Sequence, residues 1–365
     1  MPEGPTIRMI LTVQYLRAIA AIGVVLSHLA FKSALVGADL FDGARIGAAG
    51  VDVFFVISGF VMAMIHGRTA HGFGPALEFW KKRVIRIVPM YWFVTTAALV
   101  LYLFNPALVN SNSGPTSLWR SYTLIPTLHH SDVQFLIGPG WTLSFELFFY
   151  MIFTLMFLIR GRSTGLIVAT GLLTALACGT LSGVATTYLL TSPLLIEFAF
   201  GIAVFAWFER GGGRLPLLPG ALCLAAAVAG FAMLDPAHDF VFDVRWWRVG
   251  IPAALLVIGA LALEPWASAR PSRLWRVIGD SSYSLYLTHI FVVGAASRGF
   301  AFMGFKRHGA AFEAGYWLLT LVVAVAAGYV AYRCIERPLT QRAARMWLRG
   351  GHPGSEGRAV EPANA

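Results

Sequence analysis

The chain has 365 residues, of which 57% are hydrophobic and only 13% charged, with a mean hydropathy of +0.69 and a formal net charge of +10. A water-soluble domain carries roughly a quarter charged residues, so composition excludes an ordinary soluble enzyme and indicates a membrane protein. Nucleic acid is not indicated as a partner, because the basic residues form no basic domain and no zinc-type spacing; they fall between apolar runs, where loops meet lipid headgroups.

Ten apolar runs predict ten spanning helices, at about 14–34, 47–66, 84–104, 142–160, 164–182, 192–209, 216–234, 248–265, 282–300 and 316–335. Each approaches the roughly 20 residues a helix needs to cross a bilayer. The runs are continuously apolar rather than alternating, which predicts helices and not barrel strands. The first run is too long for a signal-peptide core and lacks a cleavage site, so it reads as an uncleaved anchor. With the N-terminus in the cytoplasm, more than twice as many Lys and Arg fall inside as outside, which predicts that both termini are cytoplasmic. The expectation is an all-α polytopic membrane domain over 1–349 in an inner (plasma) membrane, with the lipid bilayer as its surroundings. The loops 105–141 and 235–247 and the loop around Lys306 are expected outside. A disordered cytoplasmic tail is expected over 350–365, where the sequence is polar and rich in Gly and Pro. Cys178, Cys223 and Cys334 have no motif spacing and read as small apolar residues.

Run one carries Arg17 and His28, eleven positions apart. Eleven residues make almost three helical turns, so both side chains share one face, roughly 16 Å apart along the axis. A hydrocarbon span excludes such groups unless they are used. Arg17 is expected near the cytoplasmic face and His28 in the outer half. Run two begins with Asp52 and carries Ser58. Run three opens with Arg83 and Arg86, three residues apart on one face, with Pro89 near the helix beginning, where its missing N–H costs little. Arg17, Arg83 and Arg86 are expected to form a cationic inner mouth suited to phosphates, which arginine meets with paired N–H donors. Run four carries Ser144 and Glu146 near its external end. Asp52 and Glu146 are expected at the depth of His28, where a carboxylate on one imidazole nitrogen raises the basicity of the other. Ser58 and Ser144 are candidate nucleophiles, although a serine in a membrane helix ordinarily bonds a helix carbonyl. Run nine carries Tyr283 and His289, the latter expected in the inner half near the arginines. Glu197 and Glu336 are expected as partners of the inner arginines. His66, His71, His129 and His130 show no metal-like convergence, and no metal is expected.

Six segments then resemble the integral-membrane acyltransferase family 3, whose members acylate bacterial cell-surface polysaccharides. They are LRAIAAIGVVLSH at 16–28, GVDVFFVISGF at 50–60, FWKKRVIRIVPMYW at 79–92, WTLSFELFFY at 141–150, GDSSYSLYLTH at 279–289 and IERPL at 335–339. They run in order over nearly the whole chain. The single acid of WTLSFELFFY is most similar to the exopolysaccharide-production branch; many other members carry a second acid where this chain has Leu147. The resemblance implies O-acyl transfer, usually of acetyl from acetyl-CoA, to a hydroxyl of a polysaccharide or lipid-linked sugar, with no permanently bound cofactor. Taken with the residues, it leads to the expectation that His28 acts as the general base on the acceptor hydroxyl or assists a transient acyl-enzyme, two routes the sequence does not separate. Asp52 or Glu146 is expected to orient His28 or bind sugar hydroxyls, with donor binding by Arg17, Arg83 and Arg86, and supporting roles for Ser58, Ser144, Tyr283 and His289. From the residues alone a proton-coupled transporter or polysaccharide exporter stays open, because intramembrane His, Asp and Arg equally suit a proton relay. Against it stand charges at two ends rather than at one midplane site, and no duplicated half.

Overall fold

The computed structural model describes residues 9–34, 40–66, 69–109, 115–125, 134–159, 161–181, 192–303 and 309–348. Arg68, His129, His130, Arg160, Lys306 and the tail 350–365 lie outside the described residues. Within them the chain is helical, and strand-type pairing is confined to an isolated bridge between Thr116 and Gln134. The helices are α1 (Leu11–Ala34), α2 (Gly50–His66), α3 (Phe73–Phe104), α4 (Leu118–Thr123), α5 (Gly140–Met156), α6 (Arg162–Leu181), α7 (Leu195–Arg210), α8 (Leu217–Ala232), α9 (Phe242–Arg248), α10 (Gly250–Ala262), α11 (Glu264–Ala269), α12 (Arg273–Asp280), α13 (Ser282–Phe302), α14 (Gly309–Ala331) and α15 (Arg337–Leu348).

Each of the ten apolar runs meets a helix. Among the described residues six helical stretches are long and apolar enough to cross a membrane: Leu11–Ala34, Asp42–His66, Phe73–Phe104, Phe242–Ala262, Ser282–Phe302 and Gly309–Leu348. The helices at 140–156, 163–179 and 217–232 are apolar but shorter. Large apolar side chains stand exposed in bands along the helices, including Phe93, Leu103 and Phe104 on α3, Leu218 and Leu222 on α8, and Leu318, Leu319 and Val322 on α14. In water such surface would drive association; in a bilayer it is the lipid contact. The chain is a membrane protein.

α1 is the organising helix. It packs against α2, α12 and α13 and against the 3-10 segment Asp42–Ala49. Its N-terminus is capped from a distance: the Glu264 carboxylate accepts from the backbone N–H groups of Leu11 and Thr12, at 3.0 and 2.8 Å, and from the Thr12 hydroxyl. This satisfies donors that a helix start leaves open. α2 is almost wholly buried and lies along α7. The two backbones touch at Gly59 and Gly201, where a Cβ on either would fall 2.1 Å from a carbonyl oxygen of the other helix. Without a hydrophobic force between helices in lipid, such close backbone approach is a main source of packing energy.

α3 departs from expectation. It begins at Phe73, not near residue 84, and runs 32 residues, about 48 Å at 1.5 Å per residue. Pro89 is therefore well inside the helix rather than near its start. The lost N–H and the ring clash fall on the rung to the Ile85 carbonyl, beside Arg86. At the far end, Tyr332–Glu336 adopts a π-helical turn between α14 and α15.

Candidate functional site

A cavity of about 710 Å³ opens between α1, α2, α3, α5, α12 and α13. Its wall gathers residues from all six sequence motifs: Arg17, Ser58, Arg83, Arg86, Glu146, Tyr283 and Arg337. It also recruits Lys82, Arg276, Tyr150 and Asp280. Lys82, Arg276 and Arg337 count in the sequence as basic residues flanking spans. Six cations against two carboxylates line the space, and such an imbalance inside low-dielectric walls attracts polyanions.

Each cation is held differently. Arg17 donates to Gln14 Oε1 at 3.5 Å, one turn earlier on α1. Arg83 is buried, and its guanidinium lies over the rings of Phe79 and Tyr150, 5.5 and 5.8 Å from their centroids. Arg86 donates to the buried carboxylate of Glu336 and lies 5.4 Å over the Tyr283 ring. On α12, outside the spans, Asp280 has its carboxyl pushed above the ordinary range by burial, with Arg17 and Arg276 opposing that shift.

Glu146 sits with the arginines and not with His28. Its Oε1 accepts from the Tyr150 hydroxyl at 2.5 Å and from Ser58 Oγ at 3.3 Å. Ser58 is thus a donor to a carboxylate. Ser144 donates to the Gly140 carbonyl at 3.1 Å and lies off the cavity.

His28 does not line the cavity. It is exposed, and its ring meets that of His289 edge-on with centroids 4.9 Å apart. His289, expected near the arginines, lies here instead. It is buried and tilted 5.9 Å from Tyr286, a cavity-wall residue whose hydroxyl pairs with Thr142 Oγ1 at 2.7 Å. His28 therefore stands one ring beyond the cavity wall. Its Nδ1 lies 3.0 Å from the Val24 carbonyl. A carbonyl only accepts, so in the neutral ring Nδ1 carries the proton and Nε2 holds the basic lone pair. The same reasoning applies to His289, whose Nδ1 is 2.7 Å from the Tyr286 carbonyl and whose Nε2 is buried with no hydrogen-bond partner among the described residues.

Asp52 is not brought to His28 either. It is fully buried and takes a two-pronged ion pair from Arg245, Nε to Oδ1 and Nη2 to Oδ2, both at 2.8 Å. Arg245 also donates to the Ala48 carbonyl at 3.2 Å and packs on the rings of Trp141 and Phe240. Glu197, expected with the inner arginines, is buried at this pair instead, where it interacts electrostatically with Asp52 and Arg245. Arg245 is the main residue that sequence reasoning missed. In RWWR at 245–248 it reads as a loop cation beside an aromatic belt. Only packing reveals that it enters the bundle. Among the described residues no group of three or more His, Cys, Asp or Glu could hold a metal ion.

Residues 10–333 match the family model described as an acyltransferase domain. The chain is 33% identical to the exopolysaccharide production protein ExoZ of Rhizobium meliloti (strain 1021), over 87% of this chain and 96% of that protein. It is 27% identical to the acyltransferase MdmB of Streptomyces mycarofaciens, covering 88% and 89%. It is 26% identical to the O-acetyltransferase OatA of Staphylococcus aureus (strain NCTC 8325 / PS 47), over 90% of this chain but 56% of that protein. No solved structure matches the chain.

Proposed function

The chain belongs to the acyltransferase domain family, and from that premise we propose that it moves an acyl group, acetyl in the simplest case, from acyl-CoA on the cytoplasmic side to a hydroxyl of a cell-surface or extracellular polysaccharide. It is a membrane acyltransferase, similar to proteins named for exopolysaccharide production and O-acetylation. The observation that carries the finer reading is the cation-lined cavity; Tyr286 and His289 stand between it and His28, so the thioester must pass these two rings to reach the base. CoA is a polyanion that does not enter hydrocarbon. Its phosphates fit the cavity cations, and its extended arm carries the thioester along α1. α1 is unbroken from Leu11 to Ala34, so Arg17 and His28 keep their separation of roughly 16 Å along the axis.

In the reaction, the sugar hydroxyl oxygen attacks the thioester carbonyl carbon, the C–S bond breaks, and CoA leaves as the thiolate. His28 Nε2 accepts the hydroxyl proton, which ends on the departing sulfur. The Val24 carbonyl fixes the tautomer that leaves Nε2 basic. No carboxylate among the described residues bonds to His28, and the neighbouring ring is that of His289. Glu146 belongs to the donor cavity, where it spaces Ser58 and Tyr150 beneath the arginines.

The test is thioester-dependent release of free thiol by membranes containing the protein, supplied with acetyl-CoA and extracted polysaccharide, with mass spectrometry of the glycan. Thiol release matched by an acetyl mass gain per repeat is the expected result. Intact acetyl-CoA with movement of protons or glycan would establish the transporter reading instead.

A further inference from the structure

Two of the sequence motifs, SYSLYLTH and IERPL, supply the cavity-wall residues Tyr283, Tyr286 and Arg337, and two residues with no role in the chemistry described above, Ser284 and Glu336, bring them together at one point. Glu336 is 1% exposed, and both its oxygens are used. Oε1 accepts from Arg86 Nη1, and Oε2 accepts from Ser284 Oγ at 2.5 Å. Arg86 belongs to α3, Ser284 to α13 and Glu336 to the π-helical turn that joins α14 to α15. A π-turn within a helix is rare and occurs frequently at functional sites. Here it ends at Glu336, which meets Arg86 from outside the cavity wall, while Arg86 itself lines the cavity. Arg86 is also held by Tyr283, whose ring lies against the guanidinium and whose hydroxyl donates to the Ile87 carbonyl at 2.8 Å. That bond braces α3 two residues before Pro89, where the proline weakens the ladder.

We propose that Glu336 is a positioning residue for donor binding: anchored by Ser284, it holds the Arg86 guanidinium in the cavity wall and leaves its remaining N–H groups for a phosphate of the acyl donor. This rests on the reading of the cavity as a CoA site. A guanidinium has five N–H donors in a rigid fork, so one carboxylate contact orients the group without exhausting it. The anchor also removes the rotamer freedom that a long side chain would otherwise lose on binding. Glu336 touches no substrate; it acts through Arg86.

The experiment measures CoA affinity by calorimetry and initial rates of thiol release, in detergent, for the parent protein, Glu336→Gln, Ser284→Ala and Arg86→Gln. Hydrogen bonds to charged groups contribute about 1.5–3 kcal/mol, roughly ten- to a hundredfold in a binding constant. Glu336→Gln is expected to weaken CoA binding and raise the donor KM about tenfold or more, with kcat at saturating donor and the acceptor KM little changed. Ser284→Ala, which removes only the anchor, should show the same split at smaller size, and it serves if Glu336→Gln fails to fold. Combining Glu336→Gln with Arg86→Gln should add little, because both act through one group. An unchanged donor KM in Ser284→Ala and in a folded Glu336→Gln, or a loss confined to kcat, overturns the positioning role. A parent protein that binds CoA but releases no thiol overturns the proposed reaction and leaves the positioning role standing on affinity alone. A parent that does not bind CoA overturns both.

Discussion

Arg83 and His28 each have contacts that a substitution can remove. Arg83 lies over two aromatic rings, a setting that favours the flat, weakly hydrated guanidinium over a compact ammonium. Arg83→Lys keeps the charge but loses the stack and the fork, so donor KM should rise about tenfold, as steady-state thiol release against donor concentration would show. An unchanged KM would mean that charge alone matters there. His28→Ala should fold as the parent does, because the ring is exposed and bonded only to its own helix and to His289. Turnover should fall by about 10²–10⁴, the usual contribution of a general base. Normal turnover in that variant would remove His28 from the mechanism. The sequence makes the candidates visible, since a cation or an imidazole in an apolar run is conspicuous. It does not make their partners visible. Asp52, Glu146 and His28 look alike in depth along their helices, yet Asp52 belongs to Arg245, Glu146 to Ser58 and Tyr150, and His28 to His289. Helix rotation decides this, and rotation is fixed by neighbours far away in the chain.

At the level of helices, two contacts tie α2 to its neighbours. Gly59 and Gly201 let α2 and α7 touch backbone to backbone. Gly59→Val pushes a branched side chain into the Phe198 carbonyl. Overpacking of this kind costs about 1–3 kcal/mol or more, so the apparent melting temperature in detergent should drop clearly; an unchanged value would show that the helices can separate freely. The buried Asp52–Arg245 pair joins α2 to α9. Breaking one side of such a pair costs about 3–5 kcal/mol, whereas replacing both with apolar residues is often neutral. Asp52→Asn should therefore destabilise strongly, and Asp52→Leu with Arg245→Met should recover most of the loss. Recovery of stability without recovery of activity would return Asp52 to the catalytic list. Helix ends were less legible than helix existence. α3 is extended at its start by an amphipathic segment, FGPALEFWKK, that hydropathy alone assigns to a loop.

Across the whole molecule, the proposed reaction needs the cavity and His28 to face opposite compartments. In a background with Cys178, Cys223 and Cys334 replaced, a cysteine at Lys82, on the cavity wall, should react with an impermeant maleimide only in inside-out vesicles. One at His238, in the exposed loop before α9, should react only in right-side-out vesicles. Labelling of both from one side would defeat the two-sided arrangement. The all-helical architecture and the order of its apolar helices follow from the chain itself, because in hydrocarbon each spanning segment must satisfy its own backbone, and a local run of apolar residues suffices to specify that. The charge signs along the runs likewise announce an inner cationic region. Which cations share a wall was decided only by assembly: Arg276 and Arg337 join Arg17, Arg83 and Arg86 because α12 and α15 pack against α1 and α3. The same assembly paired Arg245 with Asp52 and set a histidine rather than a carboxylate beside His28. Apolar periodicity carries little information about which face of a helix meets which neighbour when lipid and protein are both apolar, so polar partnerships in this protein are settled by packing between helices distant in sequence.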